Sequence, residues 1–196
     1  MNSATALAAR PVEAPLTITL EDVVDGDDAA ALLILYVDAI GPLDQVAALR
    51  HLDTVPEILE VFENPAITKI IAWEGREPVG LGLVTNDLES VPATSPQFFR
   101  ALYPEYAERN AIFYGLAVMV KDTRRGLTVF SRVYMELWQV PAKVGGVLVF
   151  DACKHNRDLF DADAVIGGIA ANFPNSSWKI IDQQTWYAAE LPESLP

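Results

Sequence analysis

The chain has 196 residues, of which 51% are apolar, 9% aromatic and 21% charged, with Lys+Arg 14 against Asp+Glu 27. So high an apolar fraction excludes a disordered chain, and the net charge of −13 disfavours nucleic acid and anionic membrane as partners. Cys153 is the only cysteine, so the sequence offers no internal disulfide and no structural zinc spacing, which fits the reducing cytoplasm.

Residues 1–15 have no continuous apolar core and read as a disordered, Pro-punctuated tail, which leaves residues 16–196 as a single domain. The longest apolar run, Ala29 to Val37, stops at Asp38, short of the roughly 20 residues that cross a bilayer, so a soluble protein is expected. Leu16, Ile18 and Leu20 alternate with Thr17, Thr19 and Glu21, the period of a half-buried strand. Turn and cap residues at Asp25 to Asp28 then open a helix carrying Leu32, Leu33, Tyr36, Val37 and Ile40, which Gly41-Pro42 stops. The spacing of Asp25, Asp27 and Asp28 does not complete a calcium loop. A second helical stretch runs from about Leu43 to Phe62 with a break near Thr54-Val55-Pro56.

Two apolar runs, 67–73 and 79–85, flank the polar turn Glu74-Gly75-Arg76-Glu77-Pro78 and predict a hairpin. Gly80 and Gly82 on it lack the helix and third glycine of a dinucleotide fingerprint, and they leave room for an acceptor or a crossing backbone. From Asn86 to Asn110 the chain reads as a loop insertion with a short helix. Its Phe98, Phe99, Tyr103 and Tyr106 either line an apolar pocket or pin the loop down.

Ala111 to Val120 is the long apolar run of a central strand covered on both faces. Polar KDTRRG follows, then a helix placing Leu127, Phe130, Val133, Tyr134, Leu137 and Trp138 along one face until Pro141. Residues 145–152 predict another buried strand, 156–172 a mainly helical stretch, and 178–191 one or two final strands. There is no internal repeat or second-domain linker.

The strand–loop–helix junction carries the most chemistry. A helix N-terminus presents free N–H groups; Arg124 and Arg125 supply positive charge, Gly126 close backbone approach and Thr128 a hydroxyl. Those features suit a pyrophosphate cradle. A solvent-facing turn with solubilising arginines accounts for them equally well.

The order of elements, together with Leu116-Ala117-Val118-Met119-Val120 leading into Thr123-Arg124-Arg125-Gly126-Leu127-Thr128, resembles the GNAT superfamily of acyl-coenzyme A-dependent N-acyltransferases. In that family the loop reads Gln/Arg-x-x-Gly-x-Gly/Ala; here Thr123 and Thr128 replace its first and last residues. The resemblance implies an α/β (α+β) fold with a mixed, mostly antiparallel sheet flanked by helices. It also implies acetyl-CoA or another acyl-CoA as donor and a small-molecule amine as acceptor, and it leaves a homodimer open. Arg124, Arg125, Gly126, Leu127 and Thr128 would hold the pyrophosphate, and Val118, Met119 and Val120 would align the pantetheine. The Val118 or Met119 amide would polarise the thioester carbonyl, and Asn156 would give support. The family's helix tyrosine has no counterpart in residues 156–173. Candidate catalytic side chains are Tyr114 and His155, each with a plainer reading: Tyr114 as a core aromatic, His155 as an exposed loop residue. Cys153 is read as a strand-end residue rather than a nucleophile. The alternatives are a non-catalytic GNAT-like binding or assembly module, and an acyltransferase taking its acyl group from an acyl carrier protein or a long-chain donor.

Overall fold

The alternating run LTITLE becomes β1 (Leu16–Glu21) in the computed structural model, which describes residues 14–48, 53–91, 94–122 and 126–191. The chain divides into two units. Among the described residues the first takes 14–41 and 53–151, and the second takes 42–48 and 152–191.

The first unit holds a five-stranded sheet in the order β1-β2-β3-β4-β5. β2 (Ile67–Glu74) pairs antiparallel with β1 and with β3 (Glu77–Thr85), and Gly75, at φ +66°, makes the tight turn between them. β4 (Ile112–Val120) is antiparallel to β3, while β5 (Val147–Phe150) is parallel to β4. The sheet is therefore mixed and mostly antiparallel, as expected.

Helices cover it. α1 (Gly26–Ile40) buries Ala29, Leu32, Leu35 and Tyr36 and packs on β3 and β4. Its face is turned slightly from the predicted one, with Leu35 inside, Leu33 half-buried and Val37 exposed. Asp25 stands at the N-cap but its side chain makes no capping bond, so Asp27 and Asp28 favour the helix start by charge alone. The stretch predicted from Leu43 to Phe62 is interrupted: a 3-10 turn spans Gly41–Gln45, and α2 covers Val55–Glu63. Pro56 sits in the first turn of α2, where it is tolerated, and the Glu57 carboxylate accepts from the Thr54 N–H at 2.7 Å. His51 lies outside the described residues.

Between β3 and β4 the insertion forms a 3-10 turn (Leu88–Ser90) and two short helices, α3 (Pro96–Leu102) and α4 (Pro104–Glu108). α5 (Gly126–Ala142) lies across β2, β3 and β4, and its Val129, Val133 and Leu137 join Ile70, Ala72, Val79 and Val84 in one apolar cluster. Gly80 and Gly82 explain how closely it sits. A Cβ on Gly80 would stand 2.7 Å from Val129 Cγ1, and one on Gly82 2.9 Å from Val133 Cγ1. The room these glycines leave is filled by α5, not by an acceptor. Leu127, expected on the buried face, is 81% exposed because it precedes the first turn to touch the sheet.

One buried charge ties this unit together. Lys69 on β2 has no exposed surface, and its ammonium donates to the Asp22 carbonyl at 2.7 Å and to the Asn64 carbonyl at 2.6 Å. Burial lowers its pKa to about 8, against the opposing pull of Asp22.

The second unit contains α6 (Lys154–Phe160) and α7 (Ala162–Ala170), separated at Asp161, whose φ of +46° breaks the helical path. Residues 176–191 form neither helix nor strand, so the final strands expected there are absent. The unit's described residues include no strand that could pair with them. Trp178 instead lies beside α7, its indole nitrogen 3.6 Å from where a Cβ on Gly167 would stand. Among the described residues no helix is long and apolar enough to cross a membrane.

Candidate active site

The site is built where β4 loses one of its neighbours. β4 and β5 pair from Ile112↔Val147 to Gly115↔Phe150 and no further, whereas β4 continues to Val120 with β3 alone beside it. The register with β3 steps from Val84↔Gly115 to Leu83↔Ala117, so Leu116 is an extra residue, a β-bulge where the pairing with β5 ends.

Hydrogen-bond alternation fixes which amides face the gap. The Lys121 N–H donates to the Val79 carbonyl at 2.8 Å, and these residues stand directly opposite in register. Opposed pairs alternate between bonded and non-bonded in an antiparallel ladder, so Met119↔Leu81 and Ala117↔Leu83 are bonded pairs. The Val118 and Val120 N–H and C=O groups therefore point away from β3, toward the side on which β5 has ended. Met119 is turned into the ladder and is buried.

β4 leads through Lys121 and Asp122 toward α5. Lys121 pairs with Glu77 at the start of β3. Thr123, Arg124 and Arg125 lie outside the described residues. Gly126, Leu127 and Thr128 form the first turn of α5, whose leading N–H groups have no intrahelical acceptor. A Cβ on Gly126 would meet nothing among the described residues closer than the Lys121 carbonyl at 3.5 Å, and its φ is not left-handed. The described residues therefore impose no steric need for glycine at 126.

At the mouth of the gap the Tyr114 hydroxyl donates to Asp151 Oδ1. Tyr114 is the residue before the last β4–β5 pair, and Asp151 follows β5 directly. Tyr114 is buried, and burial, then the Asp151 carboxylate, pushes its pKa far up, so the phenol stays protonated. On the same side its ring meets Phe99 of α3 at 6.0 Å between centroids, and Phe99 meets Phe98 edge-on at 5.5 Å. Tyr103 and Tyr106 instead pack on each other, with Arg109 over the Tyr106 ring. The opposite side is filled by α5, where Tyr134 stacks on Phe130 and meets the Phe150 ring edge-on. Burial pushes the Tyr134 phenol up to about 12, partly offset by the neighbouring Trp138 indole.

His155 and Asn156 fall in the first turns of α6 in the second unit, His155 exposed and Asn156 half-buried, and Cys153 precedes them at the N-cap. β4 therefore carries Tyr114, Val118, Met119 and Val120 together, with Gly126 to Thr128 on the helix that follows. Asp151 escaped the sequence reading because it was counted with the apolar run 145–152; a charged residue at the end of such a run was the available signal.

No protein-family model matches the chain, and no curated protein matches it. Among solved structures it is similar to an aminoglycoside acetyltransferase from an uncultured soil metagenomic sample, in complex with sisomicin, at 11% identity and a TM-score of 0.50 over 89% of this chain and 97% of that one. It is also similar to an agmatine N-acetyltransferase, at 11% identity and a TM-score of 0.48 over 78% of this chain and 81% of that one. At such identities the likeness is one of fold. The fold is GNAT-like: a five-stranded, mostly antiparallel sheet flanked by helices, of the kind found in acetyltransferases.

Proposed function

We propose that the protein is an acyl-CoA-dependent acyltransferase that moves an acyl group directly to an amine. The observation that carries this reading is the side of β4 that has no strand partner among the described residues, toward which the Val118 and Val120 backbone groups point, together with the N-terminus of α5 that follows β4. An extended thioester donor has the shape for that edge: its amides complement strand backbone, and its diphosphate suits a helix N-terminus. Gly126 supports the reading, since none of the described residues requires a glycine there and a diphosphate can approach one closely. Arg124 and Arg125 would add charge, Leu127 and Thr128 would complete the turn, and Asn156 would support the donor. In this reading residues 16–196 act as one domain in the cytoplasm on a small-molecule amine.

The reaction needs few side chains. The neutral amine nitrogen forms a bond to the acyl carbon, the carbonyl oxygen gathers negative charge, and the C–S bond breaks to give the amide and a thiolate, which takes up the proton that the nitrogen loses and leaves as the thiol. The outward Val118 N–H would stabilise the charged oxygen, because backbone donors fixed in a sheet need no reorganisation. Tyr114 is a poor base here: it donates to Asp151 and holds its own proton. His155 is kept as a candidate acid or base on account of its exposure alone. The lack of tyrosine in α6 and α7 favours a second reading, a non-catalytic binding module of the same fold.

Thermal unfolding with acetyl-CoA separates the two. Ligand at 100 times its Kd adds about 2.7 kcal/mol to native stability. Arg125→Glu is expected to weaken donor binding by about tenfold. Val118→Pro removes one outward amide and leaves the ladder to β3 intact. Its expected result is donor binding without turnover. No shift with acetyl-CoA or a long-chain acyl-CoA, at any concentration to the millimolar range, overturns the donor assignment.

A further inference from the structure

Asp151 directly follows β5 where its pairing with β4 ends, and its carboxylate is held by a neutral donor. Strand pairing brings Tyr114 beside Val149, and Asp151, two residues on, falls on the same side of the sheet. The Tyr114 hydroxyl takes one lone pair of Oδ1 and leaves the carboxylate further acceptor sites. Among the described residues no cation pairs with Asp151, and the residue is exposed. A neutral donor thus orients the carboxylate without cancelling its charge, whereas an arginine would do both. Tyr114 stands beside it, and the Phe99 ring lies 6.0 Å from the Tyr114 ring, with Phe98 next in line. A fixed anion next to aromatic rings is the chemistry that recognises an ammonium group, through a charge-assisted hydrogen bond and cation–π attraction. α5 fills the opposite side, where Tyr134 meets Phe150.

We infer that Asp151, oriented by Tyr114, binds the ammonium group of the acceptor, and that the acceptor class is therefore a cationic aliphatic amine carrying an apolar or aromatic portion. Tyr114 is then a positioning residue. The inference rests on the acyltransferase reading for the word acceptor, while the cation site itself stands on geometry alone.

The test is calorimetric titration of the full chain near neutral pH, with and without acetyl-CoA, using 2-phenylethylamine as a monocation and 4-methoxyaniline as an amine that is neutral there. The wild type is expected to bind 2-phenylethylamine, Asp151→Asn to bind it at least about tenfold more weakly, and Asp151→Glu to recover part of the loss. Tyr114→Phe is expected to weaken it by about threefold. In turnover the same loss falls on KM rather than kcat, and binding of 4-methoxyaniline and acetyl-CoA stays unchanged in all three variants. Equal affinity of wild type and Asp151→Asn for the monocation, or no binding by the wild type, overturns the inference. If Asp151→Asn does not fold, Tyr114→Phe decides: weakened monocation binding supports the inference and unchanged binding overturns it. Failure of acetyl-CoA to bind while the monocation still discriminates Asp151 removes the acyltransferase reading and leaves the cation site standing.

Discussion

β3 and residues 176–191 both mix apolar and β-branched residues, and the later segment adds aromatic ones, yet β3 lies buried between two strands while 176–191 form no strand at all. In β3 every residue after Glu77 is buried. In the later segment Trp186, Tyr187 and Leu191 are 61%, 92% and 85% exposed. The difference teaches that strand composition is permission rather than instruction, because the backbone groups of a strand need a neighbour and the period-2 pattern does not supply one.

The sheet side of that comparison breaks most readily at Lys69. Its folded pKa of about 8 lies below its ordinary 10.5, so the unfolded chain binds more protons between those values and stability rises with pH across that window. Below pH 8 both states are charged and the full burial penalty is felt. Tyr134, raised to about 12, acts in the opposite sense, so stability is lost again as pH climbs from 10 toward 12. Denaturant unfolding from pH 8 to pH 10 should show a gain on the order of 2 kcal/mol. Lys69→Met should abolish the rise, and a flat profile in the wild type would show that the ammonium is not buried in solution.

An effect of similar size is expected at Gly82. Gly82→Ala places a methyl group 2.9 Å from Val133 Cγ1, so α5 or β3 must shift, at about 1–3 kcal/mol in chemical unfolding. The smallest belongs to the other region. Trp186→Ser should change stability by no more than about 0.5 kcal/mol, as befits an exposed side chain outside any ladder. A loss as large as that of Gly82→Ala would mean that residues 176–191 are packed in solution and would erase the contrast.

Much of the first unit was legible beforehand. The hairpin 67–85 announced itself through two apolar runs around Gly75, and the run 111–120 could hardly be anything but an inner strand. Legibility failed where pairing or depth decided. Nothing in the residues told that β5 would stop at Phe150 and leave Val118 and Val120 facing outward, because a ladder's end depends on two strands at once. Leu127 looked like its helical neighbours, yet a helix meets a sheet only from the turn that reaches it. Asp151 carried no motif, and its tie to Tyr114 spans 37 positions. Residues 178–191 were misread for the reason the comparison gives.

Gly80 stands opposite Val120 in the sheet, and the space its missing Cβ leaves is taken by Val129, one turn into α5. The depth of that notch fixes how high the helix rides, and the helix begins three residues earlier with the amides that end the open edge. The distance from outward strand amide to helix terminus is thus a dimension set from behind, by a hydrogen atom on a neighbouring strand. Any drift toward larger residues at that point would reshape the open edge without touching one of its own residues.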